Sequence, residues 1–127
     1  MKHKLTIPGC LPGLNEYIDA ERGRAGKYKA AAMKKQAEHI IGLMIKSQLR
    51  RLQITKPVMI HYLWIEKDRR RDKSNIAFAK KFIEDALVWT KVLKNDGWKE
   101  VEGFTDSFAV DRKNPRVEVV IEEVEKS

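Results

Sequence analysis

PVMIHYLWIEKDRRRDKSNIAFAKKFIEDALVWTKVL, residues 57 to 93, contains the order from which the rest of the chain is read. Pro57 opens PVMIHYLWI, residues 57 to 65, where β-branched, aromatic and aliphatic side chains fall on both alternating faces. A strand with one wet face alternates apolar with polar positions, so this run is expected at the centre of a sheet, buried. It runs into DRRRDKSN, residues 68 to 75, in which Arg69, Arg70 and Arg71 lie between Asp68 and Asp72. IAFAKKFIEDALVWTKVL, residues 76 to 93, then places Ile76, Ala79, Ile83, Ala86 and Leu87 at helical spacing. Ser74 or Asn75 is expected to cap that helix. A strand-to-helix junction presents its loop side chains on a rigid scaffold, which makes the charged segment a candidate site.

Upstream, LTI, residues 5 to 7, reads as a short strand ended by Pro8 and Gly9. CLPGLNEYIDAERGRAGK, residues 10 to 27, reads as a long loop, of a length more often functional than idle. Residues 28 to 52 read as a helix, with Met33, Ala37, Ile40, Ile41 and Met44 as its apolar stripe and Lys34, Lys35, Lys46, Arg50 and Arg51 mostly off it. Downstream, LKNDGWKEVEG, residues 93 to 103, carries a turn signal, and strands are expected near 104–111 and 116–124 with RKNP as a hairpin turn between them. The expected order is β-α-β-α-β-β. This is an α+β fold: a single small domain over residues 1–127 with two helices packed on a small mixed β-sheet.

At 127 residues and a formal charge of +8, with a pI near 9.6, the chain suits one modest core and a polyanionic partner. The single cysteine, Cys10, excludes a disulfide framework and a cysteine zinc cluster, and a reducing cytosol is the natural compartment. No apolar run approaches the ~20 residues of a membrane span, and MKHKLTIPG has no apolar signal-peptide core. His3, His39 and His61 share no metal-ligand spacing, no serine sits in a nucleophile elbow, and no Gly-rich phosphate loop is present.

Among groups able to do chemistry, the carboxylates say most. Asp72 lies at the strand-to-helix junction and Asp96 in the turn after the helix. They converge if the segment from Leu93 to Asp96 folds back over the helix start, or if a second subunit contributes. Carboxylates within a basic surface suit Mg²⁺, a hard cation that takes one or two carboxylates plus waters and phosphate oxygens. Such an ion serves phosphodiester cleavage, with lysine or arginine holding the scissile phosphate. Trp64, Trp89 and Trp98 are expected in core or contact positions, with Trp98 the best candidate for exposure.

RRRDKSNIAFAKKFIEDAL, residues 69 to 87, followed by LKNDGWKEV, residues 93 to 101, resembles the RusA family of Holliday-junction resolvases, common in phages and prophages. LPGLNEYI, residues 11 to 18, is similar to the family's opening loop, with Asn15 at its asparagine. The resemblance implies a RusA-like homodimer that binds four-way or branched DNA and nicks two strands symmetrically in recombination and repair. It implies Mg²⁺, with Mn²⁺ as a substitute, three essential aspartates and an essential lysine. Asp72 matches the first aspartate and Asp96 the third. Lys81 matches the lysine when the helix is aligned through Asp85-Ala86-Leu87, with Lys80 the alternative. Asn75 matches the motif asparagine, as a helix cap or a positioner of the loop. Arg69, Arg70, Arg71, Lys73, Lys80, Asn15, Arg22, Arg24 and Lys27 are expected along backbone phosphates.

The departure is Ser74, which stands where the motif has its second aspartate. A hydroxyl is a neutral and weaker ligand, so the site has one negative charge fewer. Either Ser74 ligates through a water with Asp68 or Asp85 supplying charge, or the second aspartate matters less here, or the chain binds junctions and cuts them poorly.

Overall fold

The computed structural model describes residues 1–23 and 25–125. In chain order the elements are β1 (Lys2–Pro8), α1 (Leu14–Arg22), α2 (Gly26–Leu49), β2 (Val58–Glu66), α3 (Lys73–Ala77), α4 (Lys80–Trp89), β3 (Val101–Val110) and β4 (Arg116–Glu123). The strands form one mixed sheet in the order β1-β4-β2-β3. β2 pairs antiparallel with β4 and parallel with β3, as the run at 57–65 leads one to expect of a central strand. Parallel neighbours need a crossover, and α3 and α4 supply it.

Three expectations are corrected. The segment at 10–27 is not all loop: α1 forms within it, where Glu16 accepts the Gly13 N–H at 3.3 Å and Tyr17 donates to the Gly13 carbonyl at 3.1 Å. The helix expected over 76–93 starts earlier and breaks into α3 and α4. RKNP is not a hairpin turn, because β3 and β4 are not neighbours and β2 lies between them. The Asp111 N–H donates to the Glu66 carbonyl at 2.8 Å, so the chain leaves β3 at the end of β2 and steps over it. A turn signal reports local reversal and carries nothing about which strand occupies the space between.

One sheet face carries the core. Leu5 and Ile7 of β1, Val117, Val119 and Ile121 of β4, and Ile60, Tyr62 and Trp64 of β2 are buried against Ala37, Ile41, Ile45 and Leu49 of α2 and Phe82, Ile83, Ala86 and Leu87 of α4. The opposite face is open. Met59, His61 and Leu63 are half-buried there, so β2 is central without being covered on both sides. His61 spans three strands on that face, reaching Thr105 Oγ1 at 2.8 Å and Glu122 Oε1 at 3.0 Å. In α2 the stripe is displaced from the expected one: Ile45 and Leu49 join it, while Ile40 faces outward. The β1 edge is blunted by Gln48 of α2, whose amide accepts from the Thr6 N–H at 2.7 Å and donates to the Thr6 carbonyl at 2.8 Å.

Candidate nucleic-acid and metal site

Where β2 ends, the chain turns sharply into α3. Asp72 occupies the N-cap position in extended conformation, with φ −68° and ψ 150°. Ser74 and Asn75 therefore lie inside α3, and neither caps it. Asp72 makes no side-chain capping bond, which leaves its carboxylate unpaired among the described residues. It opens on a cleft of about 700 Å³ lined by Asp68, Arg69, Asp72, Lys73, Ser74 and Phe108, among others. Asp72, Lys73, Ser74, Arg69 and Arg70 are exposed. Among the described residues, the Arg70 side chain pairs only with Asp68, at a long 3.6 Å, while its backbone N–H donates to Asp68 Oδ1 at 3.0 Å.

Arg71 differs from its two neighbours. Its Nε and Nη2 donate to the two Glu66 oxygens at 3.0 Å each, a fork-to-fork pair. Its Nη1 donates to Glu16 Oε1 at 2.8 Å and to the Leu11 carbonyl at 3.1 Å. The side chain is 21% exposed. Four of the five guanidinium N–H groups are thus committed to carboxylate and carbonyl oxygens, which leaves Arg71 less capacity for the expected phosphate contact than its two neighbours have. Asn75 is the loop positioner of the two roles considered: its Oδ1 accepts the Asn15 N–H at 2.7 Å and so satisfies a free amide at the start of α1.

The second acidic position arrives from the far side of α4. Lys81, in the first turn of that helix, donates to Asp96 Oδ2 at 2.7 Å and pairs with Asp85 Oδ1 at 3.1 Å. The turn after α4 thus brings Asp96 to the first turn of that helix, at Lys81. The Asp96 hydrogen bond, against a cost of desolvation and with help from Asp85, holds the Lys81 ammonium well above the ordinary lysine range. Asp96 does not line the cleft at Asp72. Among the described residues, no three His, Cys, Asp or Glu side chains converge as a metal-holding group.

Lys80 points elsewhere. Its ammonium donates to Asp106 Oδ2 at 2.5 Å and lies 3.8 Å from the Phe104 ring centroid, with 18% of the side chain exposed. Trp64 Nε1 donates to the other Asp106 oxygen at 2.8 Å. That enclosure removes Lys80 from the free phosphate contacts. Lys73 keeps an exposed ammonium 5.6 Å from the Phe108 ring. Asn15, Arg22 and Lys27 are exposed along α1 and the start of α2, and Arg24 lies outside the described residues. Trp64 is buried, Trp89 rests against Gly42 of α2, and Trp98 is 99% exposed in the turn before β3.

Two residues escaped the sequence reading. Asp106 lies between Phe104 and Phe108 on the helix-facing side of β3, and an acid inside an aromatic alternation was the available signal. Glu84 is buried in α4 and accepts from the Tyr62 hydroxyl at 2.8 Å. Desolvation raises its pKa against the pull of that hydrogen bond, and burial beside Glu84 pushes the Tyr62 phenol far up. Comparison with known protein families and with curated proteins gives no match. No helix among the described residues is long and apolar enough to cross a membrane.

Proposed function

We propose that this chain is a Mg²⁺-dependent, structure-selective endodeoxyribonuclease that resolves four-way or branched DNA. The observation that carries the reading is the return of Asp96, remote in sequence, to Lys81 in the first turn of α4. That turn lies one short helix away from the exposed Asp72 and its cleft of mixed charge. The donor set fits a hard cation in kind: Asp72 and Ser74 present exposed oxygens at the opening of α3, and Asp96 adds a second carboxylate. Mg²⁺ would be held by Asp72 and Ser74, with Asp96, which lies outside that cleft, brought in as the further carboxylate, and would supply neutralisation of the leaving oxygen and orientation of a water. Arg69, Arg70 and Lys73 hold backbone phosphates. Lys81, kept protonated by its two carboxylates, stabilises negative charge at the scissile phosphate. Two subunits in a homodimer would place two such sites on opposing strands.

The test is incubation with a synthetic four-way junction and a linear duplex of the same sequence in Mg²⁺. Paired nicks in the junction alone are expected. The reading is overturned if the junction is neither cut nor preferred over the linear duplex. A second reading, a junction-binding protein that cuts poorly, is favoured by Ser74 at the motif's aspartate position. Ser74→Asp separates the two: a large gain in cleavage by the variant over a slow wild type marks a site short of one charge.

A further inference from the structure

The Asp72–Ser74 loop is bracketed by two side chains that both reach the amino-terminal segment. Arg71, immediately before it, ties Glu66 at the end of β2 to Glu16 and the Leu11 carbonyl. Asn75, immediately after it, receives the Asn15 amide. Gly13 is wedged between them: a Cβ there would lie 2.8 Å from Asn75 Oδ1, 2.9 Å from Arg71 Nη1 and 2.9 Å from the Asn75 carbonyl. Tyr17 adds an aromatic contact to Phe78, with ring centroids 5.6 Å apart. Glu66 is a buried carboxylate, and the Arg71 fork engages both of its oxygens.

From this we infer that Arg71 is a positioning residue. With Asn75 it clamps the start of α1 onto the acidic loop, and Glu66 is the fixed point of the clamp. The inference rests on the proposed nuclease reading for its effect on chemistry, but the clamp itself is a property of the fold. A phosphate contact and a clamp make opposite predictions at Glu66. Glu66→Gln frees the guanidinium, so a phosphate contact would strengthen DNA binding. The clamp predicts no gain in binding, slower cleavage and faster hydrogen exchange at the Asn15 amide.

The experiment compares wild type with Arg71→Gln, Arg71→Lys, Glu66→Gln and Asn75→Ala, and with Glu16→Gln at the exposed rim in case the buried variants fail to fold. Single-turnover cleavage of the four-way junction, binding against salt, and amide exchange at Asn15 are measured well below each variant's melting temperature. Expected for Arg71→Gln and Glu66→Gln is a fall in the cleavage rate constant of about tenfold, the scale seen for groups that orient ligating residues. Junction affinity is expected to stay within about twofold, with no change in the slope of log K against log salt. A lost phosphate contact would reduce that slope by about 0.9. Arg71→Lys is not rescued, because an ammonium is a point charge without the fork. Loss of one phosphate's worth of slope in Arg71→Gln, or tighter binding by Glu66→Gln, overturns the inference. Should wild type neither bind nor cut the junction, the nuclease reading fails separately. The clamp then stands or falls on exchange: accelerated at Asn15 in Arg71→Gln, Glu16→Gln and Asn75→Ala if it exists, unchanged if it does not.

Discussion

At the scale of single residues, the two adjacent lysines of α4 divide the work. Lys81 is 60% exposed and meets Asp96 and Asp85, while Lys80 is largely enclosed by Asp106 and Phe104. Lys81→Met is expected to slow junction cleavage by about 10²–10³-fold, the usual loss for one charge-stabilising donor, with little change in melting temperature. Lys80→Met is expected to act mainly on stability, because it strands Asp106 beside Trp64. Rate constants and melting curves of the pair check this division. Glu84 yields a pH prediction. Its folded pKa is raised by burial, so the folded state holds a proton that the unfolded chain has released. Stability therefore falls as pH rises from the ordinary glutamate range through the folded value, and levels off above it. Glu84→Gln keeps an oxygen for the Tyr62 hydroxyl and removes the desolvated charge. It is expected to flatten that decline and raise the melting temperature at neutral pH. Glu84→Ala leaves the hydroxyl unpaired and is expected to cost about 1–3 kcal/mol. Thermal melts across pH distinguish the two.

At the scale of elements, the seat of α1 is what the local sequence concealed. Gly13 has an ordinary φ of −92°, so its value is the close approach of α1 to α3 and not backbone freedom. Gly13→Ala is expected to cost about 1–3 kcal/mol, the range for overpacking, since one of the atoms in the way is backbone. Chemical denaturation should show a lower midpoint with an unchanged slope. The α1 segment read as loop because LPGLNEYIDAER lacks a buried stripe: α1 has no buried residue, and it is held by Arg71, by Asn75, by the packing of Tyr17 on Phe78 and Phe82, and by its contact with α2. Helix α2 was legible in extent, but its inner face was not, because Ile40 and Leu43 give it apolar residues on both sides. Periodicity locates a stripe only when the other face is polar.

For the whole molecule, a charge of +8 and the exposed Arg69, Arg70 and Lys73 make binding to DNA an ionic-strength measurement. Junction affinity by fluorescence anisotropy is expected to fall by about 10³–10⁵-fold between roughly 50 and 200 mM salt if six to ten phosphates are contacted, as for other backbone-reading proteins. Arg69→Ala, Arg70→Ala and Lys73→Ala are each expected to reduce the slope of that dependence by about 0.9. A salt-insensitive affinity would contradict a phosphate-led interface.

The amino-acid order by itself determined that the run at 57–65 holds the central strand, observed as Val58–Glu66, that a helical segment follows, and that Asp72 and Asp96 are carboxylates to examine, while Ser74 and Lys81 were singled out by the family resemblance. Those features are local: apolar runs, turn chemistry and motif spacing act within a few residues of one another. Tertiary structure alone decided that β2 lies between β3 and β4, that Asp96 returns to Lys81, and that of three consecutive arginines Arg71 is engaged by Glu66 and Glu16. Each of these is a pairing between segments far apart in the chain. Such pairings are set by which surfaces the core brings within reach, and identical neighbouring side chains acquire different partners once the backbone aims them in different directions.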